Sequence, residues 1–167
     1  MGKLKAARTG MITGLALVLL TLFFFYVLKW PLFGNEQYVI YAVYTAGILW
    51  SLLSFRKING DDKKFKEFFS AGFKTFIVVT LIMVVFYFIY FKFFNTAYKE
   101  EGIAINNQLL AKEGNHTAVE IEENANQLRK IFMPMMLGIT TFRYLVLGAL
   151  VTAVGTGFIL LKKNNNK

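Results

Sequence analysis

The sequence predicts an all-α integral membrane protein: a four-helix bundle with an extracytoplasmic helical hairpin between its third and fourth spans. Three observations carry this expectation. Four stretches free of charge, 9–28, 37–55, 75–91 and 144–161, are each 17–20 residues long, and a bilayer core takes about 17–25 apolar helical residues. Leu, Val, Phe and Tyr fall at every angular position of these stretches, whereas a helix of a soluble bundle keeps a polar stripe. The whole chain, 167 residues and 56% hydrophobic with a mean hydropathy of +0.47, is too apolar for a soluble domain and too short for two domains. Allowing for the flanking turns, a single membrane domain is expected, with spans at about 9–28, 37–55, 72–94 and 137–161 and an outer helical segment at 95–130.

Lys3, Lys5 and Arg8 precede the first span and Lys29-Trp30-Pro31 follows it. The run exceeds the roughly 7–15 residues of a signal-peptide core and lacks a small-residue cleavage site, so it reads as an uncleaved signal anchor. Gly10 and Gly14 stand one turn apart and let a neighbouring helix approach closely. Trp30 anchors the far interface, Pro31 ends the helix, and Gly34-Asn35 makes a short outer turn.

The second span carries Ala42, Ala46 and Gly47, then Ser51 and Ser54, at helical spacing, which predicts a packing face. Tyr38, Tyr41 and Tyr44 at its start read as an interfacial aromatic belt. A turn at Asn59-Gly60-Asp61 closes the loop that follows. Phe68, Phe69, Phe73 and Phe76, set among Lys66, Glu67 and Lys74, suit an amphipathic helix start at headgroup level. Lys74 and Lys92 are 18 positions apart, about 27 Å at 1.5 Å per residue, so each can snorkel to its own surface. The aromatic third span between them either presents knobs to the small faces of its neighbours or faces lipid.

Residues 95–130 form the one long polar stretch. Glu113-Gly114-Asn115-His116 reads as a turn, and Thr117 with Glu120 as a capping box. Ala118, Ile121, Ala125 and Leu128 share one face, which makes a second hairpin arm running on into the fourth span. Residues 131–142 are expected as an interfacial or reentrant segment kinked near Pro134. The fourth span, with Gly148, Thr152 and Gly155, is the most densely small-faced and is expected at the centre of the bundle.

The formal charge of +9 is unevenly placed. With the N-terminus cytoplasmic, the inner side collects Lys3, Lys5, Arg8, Arg56, Lys57, Lys63, Lys64, Lys66, Lys74, Lys162, Lys163 and Lys167 against Asp61, Asp62 and Glu67, while the outer side is balanced. Cytoplasmic segments are enriched in Lys and Arg, so both termini are expected inside. The charges hug span ends, which fits anionic lipids at the basic inner face better than nucleic acid.

Cysteine is absent, which removes disulfides, thiolate metal sites and palmitoylation. The one histidine, His116, sits in the predicted turn. Glu120, Glu122 and Glu123 point different ways on a helix and read as a solvated face. With no hydrolase, phosphate-loop or zinc signature, neither catalysis nor a cofactor or metal site is expected. The boundary groups admit two readings, interface anchors or a binding site. In the second reading, Arg143, Tyr144, Arg129 and Lys130 are candidate contacts for an anionic lipid or ligand near the outer face.

Phe68-Phe69-Ser70-Ala71-Gly72-Phe73-Lys74 leading into an aromatic span, a helical outer segment, Gly138-Ile139-Thr140-Thr141-Phe142, and a glycine-rich final span ending in Lys162-Lys163 together resemble a bacterial membrane family catalogued as domain of unknown function 4199. The resemblance implies a bacterial inner-membrane location and supplies no site residues. The expected function is a non-catalytic scaffold or accessory subunit of a membrane complex. It rests on the small-residue faces of three helices, the absence of charge inside the spans and the exposed outer hairpin as a docking element. Gly10, Gly14, Ala42, Ala46, Gly148, Thr152 and Gly155 are the expected helix-packing residues, and a membrane-protein partner or a second copy of the chain is the expected partner. The alternative is a small transporter or lipid-handling protein working near Arg143.

Overall fold

A computed structural model describes residues 2–29, 37–60 and 63–164. Trp30, Pro31, Gly34, Asn35 and Asp61, to which the sequence assigned an anchor and two turns, lie outside the described residues. The described chain is 92% helical and without strands. It comprises α1 (Gly2–Tyr26), α2 (Gln37–Asn59), α3 (Phe65–Ile89) with a π-helical turn at Tyr90–Phe94, α4 (Ala97–Glu113) and α5 (Ala118–Asn164). Four segments, Lys5–Tyr26, Gln37–Asn59, Phe65–Phe94 and Ala118–Lys162, are long and apolar enough to cross a membrane.

Local chemistry sets the helix ends. Gly60 adopts a left-handed φ of 77° and its N–H returns to Arg56 O at 2.9 Å, closing α2. Lys64 N–H donates to Glu67 Oε2 at 3.0 Å at the start of α3. Gly114, with φ 72°, ends α4. The capping box forms in both directions: Thr117 N–H donates to Glu120 Oε2 at 2.7 Å, and Glu120 N–H to Thr117 Oγ1 at 3.3 Å.

Residues 131–142 depart from the sequence expectation. They are turns of α5, which contains Pro134 and runs unbroken for 47 residues, rather than a reentrant segment. Proline already has a helical φ and removes one N–H donor, a loss that apolar membrane helices tolerate. At 1.5 Å per residue α5 is about 70 Å long, so only part of it can lie within a core about 30 Å thick.

The chain divides into two compact units, one of Met1–Met83 with Thr141–Lys167 and the other of Val84–Thr140; α3 and α5 contribute to both. In the first unit the helices interlock through glycines. A side chain on Gly10 would meet Thr75 O at 2.8 Å, and one on Gly14 would meet Ile82 at 2.7 Å, so α1 and α3 run parallel in close contact. Thr13 fills the space over Gly47 of α2, Thr152 of α5 that over Gly72 of α3, and Tyr44 and Phe76 together that over Gly148. Leu17, Tyr44, Ile48, Leu52, Phe68, Val79 and Met83 are fully buried among these seams.

In the second unit, Tyr98 N–H donates to Asn95 Oδ1 at 3.1 Å where α4 begins. Asn106 Nδ2 donates to Asn124 Oδ1 at 3.0 Å, and Ile103, Ala125 and Phe132 are buried. Phe91, Tyr98 and Phe132 form a ring cluster with centroids 5.1–6.4 Å apart.

Candidate functional site

Among the described residues the buried polar side chains of the first unit carry hydroxyls, and Thr75 is the one that reaches two other helices. Its Oγ1 lies 2.6 Å from Ser51 Oγ of α2, 3.1 Å from Ala6 O of α1 and 3.2 Å from Ala71 O of its own helix. A hydroxyl has one proton to give. When Thr75 donates to these carbonyls, Ser51 must supply the proton between the two hydroxyls. One fully buried side chain thereby ties three helices together.

Beside this hub, α1 and α2 leave a narrow cleft, with room for little more than a water, lined by Lys5, Ala6, Thr9, Ser51, Ser54, Phe55 and Ile58. Thr9 Oγ1 donates to Lys5 O at 3.0 Å, which uses its proton and leaves only lone pairs facing the cleft. Lys5 and Ser54 are therefore the side-chain donors available there. The packing places the start of α1, the end of α2, the start of α3 and the end of α5 at the same end of the unit. That end carries Lys5, Arg8, Arg56, Lys57, Lys63, Lys64, Lys66 and Lys162 against Glu67, the one acidic residue there among those described.

Toward the other end, Tyr44 of α2 donates its phenolic proton to Tyr144 O of α5 at 2.9 Å. The two rings meet edge to face with centroids 5.1 Å apart, and Tyr41 adds a second such contact at 6.0 Å. The phenol reaches that carbonyl because residue 148, one turn on, has no side chain.

The residues singled out from the sequence are placed as follows. Gly10, Gly14, Gly148, Thr152 and Gly155 are buried. Ala42 and Ala46 are exposed, about half a turn from the buried face of α2, which is Ile40, Tyr44, Gly47, Ile48, Ser51 and Leu52. Small size alone misled there, because α2 packs with a large tyrosine that enters a glycine gap on α5. Arg143 is exposed while Tyr144, 100° further round the helix, is buried. Both belong to the first unit and Arg129 and Lys130 to the second. Arg129 is held by Glu100 at 3.1 Å, Glu122 at 3.6 Å and Asn126 Oδ1 at 3.0 Å, and those acceptors compete with any external anion. His116 faces Glu113 at 3.4 Å.

Sequence reasoning missed the Thr75 hub and the Lys5–Ser54 cleft. Ser51 and Ser54 stood out only as small residues, and Thr75 only as the first residue of a charge-free stretch. Nothing in one sequence tells which helices a hydroxyl reaches.

A family model described as "Protein of unknown function (DUF4199)" matches residues 8–162. Neither the curated proteins nor the solved structures contain a match.

Proposed function

The chain belongs to the DUF4199 family of proteins of unknown function, and from that premise we propose that it is a non-catalytic scaffold or accessory subunit of a complex in the bacterial inner membrane, with both termini cytoplasmic. Two features support the membrane placement. Lysines and arginines gather at one end of the first unit, and such residues mark the cytoplasmic side. The glycine seams fill the interior of that unit with interlocked side chains, the packing expected where lipid gives helices no hydrophobic reason to associate.

The observation that carries the scaffold role lies on α4. Ile105 and Leu109, one turn apart on a helix that is not among the four apolar spans, are 60% and 55% exposed, and Val119 at the start of α5 is 69% exposed. We read α4 and the first turns of α5 as an extracytoplasmic hairpin presenting these side chains to a partner. Exposed apolar residues on a polar helix are what a docking face needs. The transporter or lipid-handling alternative near Arg143 has less behind it, since Tyr144 is engaged by Tyr44 and Arg129 by carboxylates.

The test is copurification in gentle detergent with Ile105 and Leu109 both replaced by lysine. The wild-type chain is expected to carry a stoichiometric partner that the variant loses. Surface changes of this kind alter stability by about 0.5 kcal/mol or less each, so the melting temperature should stay nearly constant. A wild-type protein that purifies alone, or a variant that keeps its partner in full, removes the scaffold reading.

A further inference from the structure

We propose that the outward face of α5 around Arg143 docks a transmembrane helix of another protein, one that carries a carboxylate at the same depth. The inference names the chemistry of the partner that the scaffold reading calls for, and it rests on that reading. Arg143 borders the last charge-free stretch in sequence, yet the packing sets its backbone level with the interior of the other three.

Three helices give its depth. Gly72 of α3 packs on Thr152 of α5, and Phe76 on Gly148, so these helices run antiparallel and the same register sets Arg143 level with about Leu81. Gly14 of α1 meets Ile82 and lies at that level too. Leu81 stands 7 positions past Lys74, and Gly14 stands 6 past Arg8 and 15 before Lys29, which is about 10, 9 and 22 Å at 1.5 Å per residue. On α2, Tyr44, whose phenol bonds the carbonyl of the adjacent Tyr144, is the eighth residue of the stretch 37–55. Helical side chains lean toward their own N-terminus. For α5 that is the end remote from Arg8 and Lys74, so the guanidinium leans away from the nearer surface.

A charge at such depth is rare and costly, and proteins answer it by pairing. Arg143 is exposed and makes no ion pair among the described residues. The first unit has no carboxylate to offer there: the stretches 9–28, 37–55 and 75–91 contain no Asp or Glu, and Glu67 stands 14 positions from Leu81. A second copy would bring a second arginine and the same uncharged stretches, so charge complementarity selects a different protein. Val146, Leu150 and Val154, all exposed, follow Arg143 at intervals of three and four residues, the spacing of a seam along which one helix packs on another. A guanidinium can hold a carboxylate through two parallel hydrogen bonds, which would fix the depth and rotation of the incoming helix. Lipid phosphate is the competing anion, but it belongs at the surface, and the depth of Arg143 favours a carboxylate borne on a helix.

The full-length chain is co-expressed with a tagged single-span helix of leucine and alanine that bears one central glutamate, or glutamine in its place. Capture is measured in micelles of neutral detergent and phosphatidylcholine. The glutamate helix is expected to be captured about tenfold or more above the glutamine helix. Arg143→Leu should abolish that preference, and Arg143→Lys should keep part of it, since lysine pairs without the planar fork. Arg129→Gln, outside the charge-free stretches, should leave it unchanged. Matching melting curves confirm that the variants fold. Equal capture of the two helices, or a preference that survives Arg143→Leu, overturns the proposal. A preference that vanishes when phosphatidylglycerol replaces phosphatidylcholine assigns the charge to lipid phosphate and also overturns it. The designed helix stands in for the native partner, so a wild-type chain that purifies alone removes the scaffold reading without altering this result.

Discussion

Gly148→Ala is expected to lower the stability of the first unit by about 2–4 kcal/mol. An added methyl would lie 2.6–2.7 Å from Phe76 and closer still to the Tyr44 hydroxyl. Overpacking of a filled interior costs about 1–3 kcal/mol. The displaced phenol would also give up its hydrogen bond to Tyr144 O, worth about 0.5–1.5 kcal/mol. For a chain of this size that corresponds to a melting temperature lower by roughly 5–15 °C, measured by thermal unfolding in detergent. Gly157→Ala, where a new Cβ meets nothing within 4 Å, is the control and should be neutral or slightly stabilising, because alanine is the better helix former. Tyr44→Phe removes the atom nearest to the new methyl, so the double variant Tyr44→Phe/Gly148→Ala should lose less than the sum of its parts. Strict additivity would mean that the phenol does not occupy the glycine gap.

Thr75→Val should cost about 1–2 kcal/mol, although the two side chains have nearly the same shape. The hydroxyl it removes is bonded to Ser51 and faces Ala6 O and Ala71 O, and the site is fully buried. Valine would leave the Ser51 hydroxyl, 2% exposed, without that partner, and a stranded buried donor costs more than a net hydrogen bond returns. Interhelical hydrogen bonds in membranes average about 0.6 kcal/mol and reach about 1.7, which sets the upper end of the estimate. Ser51→Ala in the Thr75→Val background should recover part of the loss by removing the stranded hydroxyl. A Thr75→Val protein as stable as wild type would show that the three-helix tie carries no energy.

The class of fold was legible because its cause is coarse. Lysines and arginines cannot enter hydrocarbon cheaply, so the charged residues at 8, 29, 36, 56, 74, 92, 143 and 162 bracket the apolar helices. The capping box at Thr117 and Glu120 was legible because capping is local, needing two side chains three residues apart. The glycines of α1 and α5 showed as seams because a gap is visible in one sequence. What fills a gap is not: Tyr44 stood out as part of an interfacial belt, and the structure drives it into Gly148. The face of α2 was read correctly at Gly47 and Ser51, which are buried, and wrongly at Ala42 and Ala46, which share the spacing of a packing stripe while pointing away from it. The cleft escaped notice because its donors come from two helices about 50 residues apart in sequence, and only the antiparallel packing of α1 on α2 brings them level. The reentrant reading of residues 131–142 failed because a proline inside an apolar helix does not by itself end it.

The central claim is that these charge-bracketed helices thread the bilayer with the basic end of the bundle in the cytoplasm, and native cysteine is absent, so labelling tests it cleanly. Single cysteines are introduced at Lys57, Lys162, Leu109 and Val119, and spheroplasts are treated with a membrane-impermeant maleimide. Leu109→Cys and Val119→Cys are expected to label at once, while Lys57→Cys and Lys162→Cys label only after the membrane is permeabilised. Labelling of Lys57→Cys or Lys162→Cys in intact spheroplasts would contradict that claim.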